Sequence, residues 1–168
     1  VGSTSVVVTL NGVAVNALIG PRGDWIATYA SNQIAEGTYD APITVTARDR
    51  AGNTATIRDS VHVDTEVVPL NMTNGGGGAD SVANFAEAAT GIDLAGQVEA
   101  GSTVVVNFDG SNHTAIVDAA GNWSVTIPPS AITPGTYSAG IIVTATDAVG
   151  NVDSINDTLA IDTQAPDG

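Results

Sequence analysis

Ile141 to Asn151 reads Ile-Ile-Val-Thr-Ala-Thr-Asp-Ala-Val-Gly-Asn, and Ile43 to Asn53 reads Ile-Thr-Val-Thr-Ala-Arg-Asp-Arg-Ala-Gly-Asn. Asn53 and Asn151 stand 98 positions apart. Each copy alternates branched apolar residues with small or polar ones, the period of a half-buried strand, and then breaks at an Asp-x-x-Gly-Asn turn. A strand and turn used twice at a spacing of roughly 100 residues divides 168 residues into two units of a common domain size.

The rest of the chain follows the same offset. Ser5 to Leu10 ends in Asn11-Gly12, and Thr103 to Phe108 ends in Asp109-Gly110. Asn-Gly and Asp-Gly supply the positive φ angles of tight hairpin turns, so one hairpin is drawn twice. Return strands are predicted at Asn16 to Ile19 and His113 to Val117, followed by the turns Gly23-Asp24-Trp25 and Gly121-Asn122-Trp123. Gly37-Thr38-Tyr39 and Gly135-Thr136-Tyr137 then lead into the repeated strand. A Tyr placed there resembles the tyrosine corner of immunoglobulin-like sandwiches, whose hydroxyl bonds back to upstream backbone. Thr54 to Val63 and Val152 to Ile161 form the last strand, and both copies end in Asp-Thr, at Asp64-Thr65 and Asp162-Thr163. Gln164-Ala165-Pro166 reads as the start of a further linker.

Only the second copy has a counterpart-free lead: a strand at Val67 to Met72, a long loop from Thr73 to Thr90 containing four consecutive glycines, and a strand at Ile92 to Val98. The fold class expected is all-β, two tandem immunoglobulin-like β-sandwiches. Residues 1–64 form a partial unit (strands C to G), and residues 65–168 form a complete seven-strand unit plus the start of the next linker. The first sandwich is incomplete because Val1 aligns with Glu99, beyond strands A and B. This predicts that Val1 lies within a longer polypeptide. An open first unit would also invite edge-strand pairing with another chain. The two Trp residues occupy equivalent positions, which predicts a core role for each.

Composition narrows the chemistry. The chain has no cysteine, so neither disulfides nor thiolate metal sites are available. Eighteen acidic residues face four arginines and no lysine, for a formal charge of −14. Such a surface repels phosphate backbones and anionic lipid, which argues against nucleic-acid and membrane partners and favours divalent cations. There is no run of about 18 apolar residues and no N-terminal signal pattern. His62 and His113 are isolated and sit in predicted strands, which reads as structural. No nucleophile elbow, phosphate loop or His-Glu-x-x-His is present, so no enzyme activity is expected.

The ordered set of motifs resembles the bacterial immunoglobulin-like repeats of giant surface adhesins. It comprises an Asp-Thr linker with a nearby Pro, Asp-x-Val-x-Asn-x-x-Glu, Gly-Ser-Thr-Val-Val-Val, an Asp-Gly hairpin, Gly-x-Trp, Gly-Thr-Tyr, Ala-x-Asp-x-x-Gly-Asn and a second Asp-Thr. Those adhesins, often called RTX adhesins, are typically exported by type I secretion. The resemblance implies an extracellular extender of the bacterial cell surface. Neighbouring repeats of one polypeptide would be joined by calcium and would project a distal ligand-binding region for adhesion or biofilm formation. The tetraglycine at Gly75 to Gly78 departs from this pattern by making the loop longer and looser.

Two groups of oxygens are candidate calcium ligands. Asp80, Asn84 and Glu87, with the Val82 carbonyl, present oxygens along one loop, as calcium's six to eight hard ligands require; a solvated acidic loop whose Asn caps a turn is the competing reading. Asp64 and Asp162 end their units, and Asp147 opens an Asp-x-x-Gly-Asn turn like that of Asp49. In an ordinary sandwich Asp64 would face Asp147, and Asp162 would lie toward the Asp80 loop. For Asp49 and Asp147 the alternative is a turn held by backbone hydrogen bonds. Other functions compatible with the sequence are a carbohydrate- or protein-binding immunoglobulin-like module and an accessory domain of a secreted hydrolase.

Overall fold

The computed structural model describes residues 3–165, so the expectations for Val1 and Pro166 lie outside the described residues. The chain divides into two compact units, one ending at Thr65 and the other beginning at Glu66. Thr65 belongs to the first because its N–H donates to the Gly37 carbonyl at 3.2 Å and its Oγ1 accepts from the Gly37 N–H at 2.8 Å.

The first unit runs β1 (Ser3–Leu10), β2 (Val13–Asn16), β3 (Leu18–Ile19), β4 (Trp25–Ile26), β5 (Thr38–Asp49) and β6 (Thr54–Asp64). β2, β1, β5 and β6 form a four-stranded antiparallel sheet in that order, and β3 pairs with β4. Asn11 and Gly12 take φ of 45° and 86°, the left-handed pair that a two-residue hairpin turn needs.

The second unit adds β7 (Leu70–Asn74), β8 (Val82–Asn84), helix α1 (Phe85–Thr90) and β9 (Ile92–Val98) ahead of the repeated elements. These are β10 (Thr103–Phe108), β11 (Ser111–Thr114), β12 (Ile116–Val117), β13 (Asn122–Ile127), β14 (Thr136–Thr146) and β15 (Val152–Asp162). One sheet has the order β11-β10-β14-β15-β8 and the other β12-β13-β9-β7. Alternate residues of both sheets meet in one core: Ile92, Leu94 and Val98 with Trp123 and Ile127 from one side, and Val104, Val106, Phe108, Ile141, Val143, Leu159 and Ile161 from the other. This is the two-layer packing of an immunoglobulin-like sandwich.

Four features differ from the sequence reading. The return strand is split: Ala17 and Ala115 donate their N–H groups to the Val6 and Val104 carbonyls, and the chain then crosses to the other sheet, giving β2 and β3 in one unit and β11 and β12 in the other. The 73–90 loop contains β8, which pairs in parallel with β15, and helix α1, whose six residues are too few for a periodic signal. Its tetraglycine is not loose, because a Cβ on Gly76 (φ +87°) would collide with Ile92 and stand 3.0 Å from Leu94, and Gly77 is buried against Ser81 and Val82. Finally, Trp123 is 1% exposed but Trp25 is 42% exposed. Trp123 is roofed by Gly96 of β9 and donates its Nε1–H to the Asn71 carbonyl of β7 at 3.0 Å, and the first unit has no counterpart of either strand among the described residues.

Candidate functional site

Both Asp-Thr pairs lie at the end of a last strand, where they are tied to the Gly-Thr-Tyr motif. The Thr38 hydroxyl donates to Asp64 Oδ1 at 3.1 Å and the Thr136 hydroxyl to Asp162 Oδ1 at 3.0 Å. The Gly135 N–H donates to Thr163 Oγ1 at 2.7 Å, matching Gly37 and Thr65. The recurrence of these motifs therefore has a local cause: together they close the seam between the last two strands. Tyr39 donates its hydroxyl to the Ala35 carbonyl at 2.8 Å, which makes the corner bond expected of it. Tyr137 does not, since its hydroxyl oxygen is buried without a hydrogen-bond partner.

Asp80, Val82, Asn84 and Glu87 are brought together with Asp162 at one end of the second unit. Asn84 pairs in register with Asp162 across β8 and β15. Asn84 caps helix α1 by accepting from the Ala86 and Glu87 N–H groups, and Glu87 Oε2 accepts from the Asn84 N–H at 2.9 Å. Asp80 Oδ1 accepts from the Val82 N–H at 3.1 Å. The spacing that reads as a ligand loop is thus also a reciprocal capping box. The exposed ring of Phe85 and the segment Thr163–Ala165 border the same end.

Asp147 is at the far end of β14, roughly 35 Å along the strand from Asp162. It is buried, and its Oδ1 accepts from the N–H groups of Val149, Gly150 and Asn151 at 2.7–2.9 Å while Oδ2 accepts from Asn151 Nδ2 at 2.7 Å. Burial pushes its pKa up, but the Asn151 side chain and the three backbone donors outweigh that and leave it below the usual carboxylate value. Asp49 is lowered chiefly by Asn53, and Asp118 chiefly by Asn122, in turns of the same design.

Sequence reasoning missed three neighbours of this chemistry. Asp118 opens a third Asp-x-x-Gly-Asn turn, legible from its spacing to Gly121 and Asn122. Glu99 has a carboxylate oxygen within 4.8 Å of one from Asp147, although the two are far apart in sequence. Ser102, in the same turn as Glu99, has a buried Oγ without a hydrogen-bond partner.

The donor set suits a hard cation. Two carboxylates and an orphaned hydroxyl at one end, and Asp162 with the 80–87 loop at the other, offer oxygen only, and the second unit's sequence contains no lysine or arginine to neutralise them. Like charges this close repel one another, and a divalent cation between them would relieve that repulsion. His62 is exposed and bonded to Asp40 at 2.8 Å, which leaves it a surface residue of the first unit.

These features define tandem immunoglobulin-like sandwich units, and the chain belongs to the bacterial Ig-like domain family, whose profile matches residues 2–65 and 75–163. Among solved structures it is similar to a Ca2+-stabilized adhesin with which an Antarctic bacterium reaches out and binds ice. The two are 29% identical over 97% of this chain and 41% of that one, with a TM-score of 0.50. It is also similar to a 1.5-MDa bacterial ice-binding adhesin retained at its host cell surface, at 25% identity over 98% of this chain and 55% of that one, with a TM-score of 0.52. The chain spans about half the length of these structures or less. No curated protein matches it. No helix among the described residues is long and apolar enough to cross a membrane.

Proposed function

We infer that the chain is a pair of extender units from a bacterial cell-surface adhesin, located outside the cell, whose role is mechanical. Successive units are stiffened by calcium at their ends, and the array holds a distal ligand-binding region away from the surface for adhesion or biofilm formation. The observation that carries this is the recurrence of one unit, element by element at 98 positions, with Glu99 and Asp147 close together at one end of the second unit and Asp162 beside Asn84 at the other. The family match and the likeness to a Ca2+-stabilized adhesin support it.

In this reading Asp162, Asp80, the Val82 carbonyl, Asn84 and Glu87 supply ligands at one end of the second unit. Asp147 and Glu99 supply them at the other, and Asp64 does so at the end of the first. Calcium there neutralises carboxylates that otherwise repel one another, and removes the slack of an acidic linker. The neighbouring repeats of the same polypeptide are the principal partners, and type I secretion is the export route consistent with such a chain.

Calorimetry and small-angle scattering in millimolar calcium and in chelator test the proposal. Calcium is expected to raise the melting temperature, by the equivalent of about 2.7 kcal/mol when the ion is at a hundred times its Kd. It is also expected to lengthen the particle, and Asp162→Ala is expected to reduce the thermal gain. Identical melting and identical dimensions in the two media would refute it.

A further inference from the structure

The last strand of the second unit has a long uncovered edge. β14 pairs with the whole of β15, but on the other side β8 reaches only Ala160 to Asp162. The 152–159 stretch is left without a neighbour, and it is longer than the other edge strands of the unit, β7, β8, β11 and β12, which have five, three, four and two residues. Thr163 donates its N–H to the Gly135 carbonyl at 3.0 Å, and the register between β14 and β15 has no shift. Odd-numbered residues of β15 therefore direct their N–H groups to β14, while Ser154, Asn156 and Thr158 direct theirs to the open edge. A row of outward N–H groups is a template for an added strand.

Two carboxylates close that edge. Asp157 Oδ1 accepts from the Thr158 N–H at 2.8 Å, and Asp153 Oδ1 accepts from the Ser154 N–H at 2.8 Å. Each carboxylate stands where the carbonyl of an incoming strand would have to go. Asp157 also interrupts the apolar alternation, since it shares a face with Ile155, which packs against the core, and with Leu159 and Ile161, which are 3% and 1% exposed. The first unit has the same interruption: Asp59 comes between Ile57 and Val61, and its Oδ1 accepts from the Ser60 N–H at 2.8 Å. A charge on the core-facing side of an edge strand is a means of refusing strand addition.

We propose that Asp153 and Asp157 keep β15 from pairing with the β15 of a second copy of the chain, so that neighbouring molecules stay separate. Two copies of one strand edge are self-complementary about a twofold axis, which makes this the association the edge would otherwise favour. In the antiparallel register centred on Asn156, Asp157 of one copy falls opposite Ile155 of the other, and Asp153 falls opposite Leu159. Pairing would pull the carboxylates of both copies off their N–H donors and away from water, against apolar side chains. The role requires no cation at the ends of the unit.

The test uses the whole chain in chelator, with sedimentation velocity for association and amide hydrogen exchange at Ser154, Asn156 and Thr158 for its location. In the native chain, exchange at these amides is expected to be independent of protein concentration. Asp153→Val combined with Asp157→Val is expected to tighten self-association at least about tenfold, and to slow exchange at the three amides as concentration rises. Asp157→Thr alone is a milder change and should move both readouts in the same direction. Glu36→Gln combined with Asp109→Asn removes the same charge from exposed positions off this edge, and should leave association unchanged. Adding Asn156→Pro to the valine pair removes the central outward N–H and should restore native behaviour. Fluorescence of the buried Trp123 reports whether each variant is folded. A folded valine pair that associates no more tightly than the native chain would overturn the proposal. So would equal association of the charge control, or new protection confined to strands other than β15.

Discussion

One substitution made at two equivalent places separates what the repeat encodes from what surrounds it. Trp123→Ala removes a ring that is 1% exposed. Aromatic side chains bury about 150–250 Å², worth roughly 4–6 kcal/mol at about 25 cal/mol per Å², and large-to-small core changes of this kind cost about 3–5 kcal/mol. The Asn71 carbonyl also loses its donor, at about 1 kcal/mol. A loss of about 5 kcal/mol lowers the melting temperature of a 100-residue unit by on the order of 20 °C or more. Trp25→Ala acts on a ring already 42% exposed, with no β7 or β9 counterpart over it among the described residues, and should cost about 2–3 kcal/mol, roughly half as much. Heat unfolding followed by backbone amide resonances, read separately for β9 and β14 and for β1 and β5, assigns each change to its unit. Equal shifts for the two substitutions would refute the argument that β7 and β9 are what make the second tryptophan a core residue.

Gly76→Ala should destabilise the second unit by about 2–4 kcal/mol, combining a left-handed φ with overpacking against Ile92 and Leu94; an unchanged urea midpoint would count against the close approach. Acid should weaken the fold in a defined window. Asp49, Asp118 and Asp147 have folded pKa values below their ordinary 3.8, so their contribution is present above that value and is lost as pH falls through the folded one. Melting temperature in chelator should therefore stay level from neutral pH to about 5 and decline below about 4. Asp118→Asn should make that decline shallower, and a decline of undiminished slope would show that the Asp118 turn does not contribute.

Much of the architecture was legible because it is local. Alternation at Ile141 to Ala145 marks a strand, Asn11-Gly12 and Asp109-Gly110 mark hairpins, and the 98-residue offset carries every element of the first unit onto the second. The oxygen ligands at 80–87 could be read from spacing, but their engagement in a helix cap could not, because a six-residue helix leaves no periodic trace. The pairing of Glu99 with Asp147 was invisible for a different reason: it depends on two loops meeting at one end of a sandwich. The different fates of Trp25 and Trp123 show the boundary most clearly. The sequence by itself determined which residues alternate, where the chain turns and that one design is used twice, because those follow from backbone preferences within a few residues. Burial was decided only by the tertiary structure, since covering a side chain takes a neighbour from elsewhere in the chain, and the same Gly-x-Trp motif is core where β7 and β9 lie over it and surface where they do not.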